Sequence, residues 1–420
     1  FWRIALEVFG GDILALSGII GALYFLNLAV FCIFSIPQLV KPFCVIVLML
    51  SSVTSYYMDN LGVFIDREMI QNVMVTTVTE SKHLITIGFL LHVATYGLLP
   101  SSLVLMVKLK KYSAVVTFGV PVFASIICCG VCIALLAIDF KTYASVIRER
   151  RDFIASYQPG APIVNSFRYA AMVGRTINTE VQPLGEDAIK GVNYFKEDKA
   201  ILTVLVVGET ARAQNFSLNG YDRETNPMLS RWPILNFENV SSCGTSTAVS
   251  LPCMFSSLSR KQYSFEAGIA KQNLLDVLKY AGFEVEWWEN NTGHKGIANR
   301  VKSRDFAGIT APNFCRKGEC DDGIFLPALR TYAESITKDT VIVLHQIGSH
   351  GPAYHLRYPP ASERFTPACK EADFQQCSTE EIVNAYDNTI AYTDKVLSEI
   401  IGFLNAQDDL TTALVYVSDH

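Results

Sequence analysis

Charge is what this 420-residue chain has least of in its first third: residues 1–140 hold 14 of its 75 Asp, Glu, Lys and Arg side chains. A single water-soluble domain is thereby excluded. The formal net charge is −5, with no basic stripe, so no nucleic-acid partner is expected either, since one would need an electropositive footprint. Internal repeats and low-complexity tracts are also missing. The chain opens on Phe1-Trp2-Arg3 without an initiator Met and is expected to be a piece of a longer protein, with one more span before it.

Where charge vanishes altogether, the runs are long. Residues 13–40, 42–58, 83–107 and 112–138 contain no Asp, Glu, Lys or Arg. About 20 mostly apolar residues cross a hydrocarbon core, so four spanning helices are expected in a membrane domain over residues 1–139. Positive residues favour the cytoplasmic side. Lys41 and the Lys108, Lys110, Lys111 cluster place their loops there, leaving residues 59–82 and everything after 139 outside; Arg148, Arg150 and Arg151 pull the other way. Cysteine decides better. Of 11 Cys, Cys32, Cys44, Cys128, Cys129 and Cys132 fall within spans. The other six form close pairs, Cys243 with Cys253, Cys315 with Cys320 and Cys369 with Cys377, none arranged as Cys-x-x-Cys. An even, locally paired set reads as disulfides in an oxidising compartment rather than a zinc cluster. Local pairing is the simplest of about 15 connectivities.

Residues 140–198 connect the two parts. Phe140, Tyr143, Ile147, Phe153 and Ile154 among basic residues predict an interfacial helix over 140–157. Gln158-Pro-Gly-Ala-Pro162 is expected to break it, with a second helix at about 164–180. From 199 onward, short β-branched runs at 201–207, 283–288, 340–344 and 413–417 alternate with helical patterns at about 272–281, 325–336 and 379–404. That alternation predicts an α/β domain with a mostly parallel sheet and helices on both faces.

In such folds ligands bind beyond the carboxyl ends of the strands. Here those ends carry Gly208-Glu209-Thr210, Glu289-Asn290-Asn291, His345 to His350, and Ser418-Asp419-His420. Glu209, Asp419 and His420 are ligands of the kind zinc takes. Any one of them alone would be an ordinary loop residue; three at one sheet edge point to a metal site. Candidate nucleophiles are the hydroxyls of Ser242-Cys-Gly-Thr-Ser-Thr-Ala-Val-Ser-Leu-Pro-Cys253, at a loop-to-helix start where a Ser or Thr also serves as an N-cap.

Six stretches in order carry a family resemblance: Val207-Gly-Glu-Thr-Ala-Arg212, Asn219-Gly-Tyr-Asp222, Ser242 to Met254, His345-Gln-Ile-Gly-Ser-His-Gly-Pro352, Asn384-Ala-Tyr-Asp-Asn388 and Tyr416-Val-Ser-Asp-His420. Over nearly its whole length the chain resembles the phosphoethanolamine transferases of Gram-negative bacteria, in the lipid A branch that includes the mobile colistin-resistance proteins. The resemblance implies an alkaline-phosphatase/sulfatase-like catalytic domain over residues 199–420, periplasmic, on a multi-pass inner-membrane anchor, acting as a monomer. It implies a tight zinc site of Glu209, Thr247, Asp419 and His420, with Thr247 as nucleophile. His350 matches a second, weaker metal or substrate-phosphate position and a general acid; His345 looks structural. Asn291 and Lys295 match residues that hold the phosphoethanolamine phosphate, and Asn72 and Glu80 match residues near the ethanolamine. The donor implied is phosphatidylethanolamine and the acceptor a lipid A phosphate. The family continues past His420 with a further metal-site histidine.

A sulfatase would need a Cys/Ser-x-Pro-x-Arg context, which is not found around Thr247. A glycerol-phosphate transferase, transfer to a core sugar or periplasmic glucan, and a non-catalytic membrane sensor are the rivals. Retention of every expected ligand up to residue 420 argues against the sensor. Non-reducing peptide mapping of the exported protein is expected to find links within the three Cys pairs; free thiols at all six positions would place the domain in a reducing compartment.

Overall fold

The computed structural model describes every residue except 77–80, 83, 111, 114, 177, 178, 193, 195–197, 307, 308, 310 and 317. The chain divides into two compact units, Phe1–Ile70 with Ile85–Ala170, and Gln71–Leu84 with Ala171–His420.

In the first unit four helices are long and apolar enough to cross a membrane: Ile13–Ile33, Val40–Leu61, Ile87–Met106 and Val115–Ile138. They turn Ile13, Tyr24, Phe123, Ile126 and Ile133 outward, as lipid-facing helices do. Close approach comes from small residues. Gly18 lies directly under the Tyr143 ring, whose hydroxyl donates to the Ala15 carbonyl at 2.9 Å. Polar side chains tie the connection at 157–158 to two spans, Thr54 Oγ1 donating to Gln158 Oε1 at 2.7 Å and Tyr157 Oη to Asn27 Oδ1 at 2.8 Å.

Several boundaries differ from expectation. The first helix stops at Ile33 rather than running to residue 40, because the Pro37 ring would collide with the carbonyl four residues earlier. The third begins at Ile87, where the Thr86 hydroxyl accepts from Phe89 N at 3.1 Å. The expected break at 158–162 is shorter, since a helix Gly160–Thr176 already contains Pro162; in a first turn the missing N–H costs nothing. The predicted interfacial helix is two, Phe140–Glu149 and Arg151–Ala155.

The second unit is built on a five-stranded parallel sheet of order β3-β2-β6-β1-β7. Its strands are β1 Ala200–Gly208, β2 Glu284–Glu289, β3 Lys302–Asp305, β6 Thr340–His345 and β7 Leu410–Ser418. β4 (Cys315–Arg316) and β5 (Glu319–Cys320) form a small antiparallel hairpin. On one face Leu202, Val204, Val206, Trp288, Ile342 and Leu344 meet Phe325 and Leu329 of the helix Phe325–Ala333 and Val396, Leu397 and Ile400 of the helix Thr379–Asn405. On the other, Val207, Trp287, Val341 and Val343 meet Leu251 and Phe255 of the helix Thr247–Phe255 and Leu275 of the helix Leu274–Tyr280. The sheet is thus covered on both sides, which explains why its strands read as continuous apolar runs. β3 has no such signal: its Lys-Ser-Arg-Asp sequence is exposed throughout.

Parallel register aligns the strand ends. Val207 and Glu289 both sit opposite His345, and Gly208 sits opposite Ser418. The next residue of each strand therefore leaves the sheet at one level.

Trp288 is fully buried between sheet and helices. Trp288→Ala is expected to lower unfolding stability by about 3–5 kcal/mol, read as a shifted denaturant midpoint.

Candidate metal and transfer site

Glu209 follows β1 and is 2% exposed. Its Oε2 accepts from Thr247 Oγ1 and from Asn291 Nδ2, each at 2.9 Å. Its Oε1 accepts from Thr210 Oγ1 at 2.5 Å and lies 3.5 Å from His420 Nε2. Burial alone would raise its pKa, but the His420 hydrogen bond and the charges of His350 and His420 hold it well below the usual carboxylate range.

Asp419 follows β7 and is fully buried. Its Oδ1 accepts from Thr210 N at 3.1 Å and His420 N at 2.7 Å, and the Ser250 hydroxyl donates to its carbonyl. Burial, then the charge of Glu209, pushes its carboxyl up to about 7. Burial works against the His420 cation, yet Glu209 and Asp419 raise its pKa. Two buried carboxylates pushed apart in this way are what a bound cation would relieve.

The residues fit a metal ion. Glu209, Asp419 and His420 bring ligand atoms within 4.8 Å of one another. Asp419 Oδ2 is buried and takes no hydrogen bond from a described residue, its nearest cation being His420 Nε2 at 3.6 Å. With the Thr247 hydroxyl, the donor set is two carboxylates, an imidazole and an alkoxide-forming oxygen, a set that suits zinc.

Thr247 is the first residue of the helix Thr247–Phe255, with Ser246 as its N-cap. Unpaired N–H groups at that end favour negative charge on its oxygen and on a neighbouring phosphate. The Cys243–Cys253 disulfide ties the preceding loop to the same helix; Cys315–Cys320 and Cys369–Cys377 are joined too.

The remaining sequence candidates stand as follows. His350 is partly buried, its Nδ1 2.8 Å from the Gly351 carbonyl. Besides Glu209, the Asn291 amide reaches the Gln346 carbonyl at 2.9 Å and His345 Nε2 at 3.2 Å, so here it fastens the Glu209 carboxylate. Lys295 turns its ammonium to Thr292 O and Oγ1 at 2.7 and 2.9 Å. Asn72 is on the helix Arg67–Val75, its carbonyl accepting from the Thr76 hydroxyl at 2.7 Å. Glu80 lies outside the described residues.

Sequence reasoning took His345 as structural and quoted Glu289 and Tyr386 within its stretches, but missed the contacts through which they hold this site. His345, fully buried, places Nδ1 2.9 and 3.0 Å from the two oxygens of Glu289. Glu289 also accepts from Trp287 Nε1 and Asn291 N, both at 2.8 Å. Burial would raise Glu289, but the charge and hydrogen bond of His345 take it down to about 2. Tyr386 accepts from Arg212 N at 3.0 Å and donates to the Thr210 carbonyl at 2.7 Å. Glu289 lies in the quoted Glu289-Asn290-Asn291 strand end and Tyr386 in the quoted Asn384 to Asn388 stretch, but neither stretch shows which distant partner it meets.

A family model described as Sulfatase matches residues 202–420, and one described as Phosphoethanolamine transferase EptA/EptB matches residues 23–172. Phosphoethanolamine transferase EptA of Escherichia coli K12 is 38% identical over 385 residues, covering 90% of this chain and 70% of that protein. The chain belongs to the phosphoethanolamine transferase family. Phosphatidylethanolamine transferase Mcr-2 of Escherichia coli is 34% identical to the transferase, over 94% of this chain and 75% of that protein. Among solved structures, the integral membrane lipooligosaccharide phosphoethanolamine transferase A of Neisseria meningitidis superposes with a TM-score of 0.91 at 34% identity, over 98% of this chain and 76% of that one. The transferase therefore pairs four candidate spans with a sulfatase-like α/β domain, as the sequence pattern implied.

The Glu289–His345 pair gives the transferase a pH signature. Glu289 is depressed from 4.5 to about 2, so its stabilisation is present above about 4.5 and lost as pH falls toward 2. His345 is raised from 6.5, so its share is present below 6.5 and lost as pH rises through its folded value. Glu289→Gln is expected to cost about 3 kcal/mol or more at neutral pH, by leaving its partner unpaired, and to remove the Glu289 part of the acid slope in denaturant titrations.

Proposed function

We propose that the transferase moves phosphoethanolamine from phosphatidylethanolamine to a phosphate of lipid A, through an ester on Thr247, in the periplasm of a Gram-negative cell whose inner membrane holds its spans. The observation that carries this reading is the Thr247 hydroxyl at a helix N-terminus, 2.9 Å from a buried carboxylate that shares a metal-sized cluster with Asp419 and His420. Support for a lipid A-containing acceptor comes from the Neisseria meningitidis protein, named for lipooligosaccharide; a more distant relative of Salmonella typhimurium, 26% identical, is named for the 7'' position of Kdo(2)-lipid A, which keeps the core sugar as the rival acceptor.

Thr247 Oγ attacks the donor phosphorus, the Oγ–P bond forms, and the P–O bond to diacylglycerol breaks. The hydroxyl proton leaves along its hydrogen bond to Glu209, and the departing diacylglycerol oxygen takes up a proton, with His350 as the candidate acid. A lipid A phosphate oxygen then attacks the same phosphorus and frees Thr247. Zinc held by Glu209, Thr247, Asp419 and His420 would lower the hydroxyl pKa and stabilise charge on the phosphoryl oxygens. Lys295 would swing from Thr292 to the phosphate, Asn291 would orient Glu209, and Asn72 and Glu80 would receive the ethanolamine end.

Added ammonium groups remove net negative charge from the outer surface, on which cationic polymyxins depend. The full-length protein expressed in a sensitive strain is expected to add a phosphoethanolamine mass to lipid A and raise polymyxin resistance. Thr247→Ala should lower both by at least about a thousandfold in rate at unchanged expression. Activity within tenfold of wild type would reject Thr247, and the group appearing on a core sugar or glucan instead would reject lipid A as acceptor.

A further inference from the structure

Asp322 lies in the one-turn helix Asp322–Ile324 that leads into Phe325–Ala333, away from every motif quoted above. It is 3% exposed. Its Oδ1 accepts from Asn290 Nδ2 at 2.8 Å and Ile347 N at 2.9 Å, and its Oδ2 accepts from Gly348 N at 2.9 Å. One carboxylate therefore fastens the segment leaving β2 to the segment leaving β6.

Both segments end on Glu209. Beyond Asn290, the Asn291 amide holds Glu209 Oε2. Beyond Ile347, Gly348 adopts φ +47° and lies so close to Glu209 that a Cβ there would stand 2.8 Å from its carbonyl oxygen and 2.9 Å from its nitrogen. Ser349 N then donates to the Glu209 carbonyl at 2.9 Å. Side chain and backbone of Glu209 are thus located by two loops, and the two loops are located by Asp322.

We propose that Asp322 is a positioning residue of the transfer site, setting the direction of the Glu209 carboxylate by tying the β2 and β6 loops together. The proposal rests on the reading of Glu209 as a zinc ligand. Burial raises the Asp322 carboxyl to about 6 despite these hydrogen bonds; three donors are there to be satisfied, and only a carboxylate accepts from all of them at both oxygens. Its neighbour Asp321 is a natural control. It is equally buried, and among the described residues its carboxylate accepts from Tyr392 Oη at 2.5 Å and Gly323 N at 3.1 Å and from neither loop.

Asp322→Asn keeps the shape but sets an NH₂ group against a backbone N–H. In the full-length protein it is expected to weaken zinc binding at least fivefold in chelator competition, lower kcat at least tenfold, and speed amide hydrogen exchange at Ile347, Gly348 and Ser349. Asp321→Asn should lower the unfolding temperature comparably while leaving zinc affinity, kcat and those amides within twofold. Asp322→Asn within twofold of wild type on all three readouts would overturn the proposal. So would an equal loss of zinc affinity in Asp321→Asn, which would make the effect general loosening. If wild type itself holds no zinc, the metal reading of Glu209 falls, and exchange at the three amides still decides whether Asp322 holds the loop.

Discussion

A carboxylate buried at the end of an apolar strand is expensive unless every lone pair is used, and Glu209 is where this protein meets that constraint. Its donors come from four places: Thr210 beside it, Thr247 on a helix, Asn291 after β2 and His420 after β7. The Asn291 and His420 donors require the parallel sheet to be in register, because a one-residue slip would send each strand-end side chain to the opposite face. The same arrangement that makes the anion tolerable creates the site. A group stable enough to stay charged there is also a ligand ready for a cation.

The two units satisfy their polar groups by different physics. In the first unit a lipid surround leaves little hydrophobic gain, so the spans meet their neighbouring segments through small residues such as Gly18 against Tyr143 and hydroxyl and amide pairs such as Thr54 with Gln158. In the α/β unit Trp287, Trp288, Phe255 and Phe325 supply large buried areas, and buried polar networks gather at the strand ends and around Asp387 and Asp394 of the helix Thr379–Asn405.

How far the sequence foretold this follows from where each signal was local. The spans were legible from missing charge, and β1, β2, β6 and β7 from continuous apolar runs. β3 was not, because an exposed edge needs no apolar pattern and Lys302 to Asp305 has none. Helix ends were misjudged where proline mattered in opposite ways, with Pro37 ending one helix and Pro162 sitting inside the start of another. Glu209, Asp419 and His420 could be named because each directly follows a strand. Asp322 could not, nor could the pairing of Glu289 with His345, since these partners lie 25 and 56 residues apart in sequence and only the folded register brings them together.

The character of β3 has a further consequence. Proteins held in one membrane meet one another at high local concentration, and a flat apolar strand at a sheet edge would invite a neighbour to pair with it. Here that edge is four residues long, fully exposed, and carries Lys302, Arg304 and Asp305. Arg304 bends back over the Trp288 and Tyr332 rings and reaches Glu286 at 2.9 Å. Short, charged and partly roofed by its own side chain, it is a poor template for strand addition, so crowding in the bilayer need not lead to aggregation through this edge.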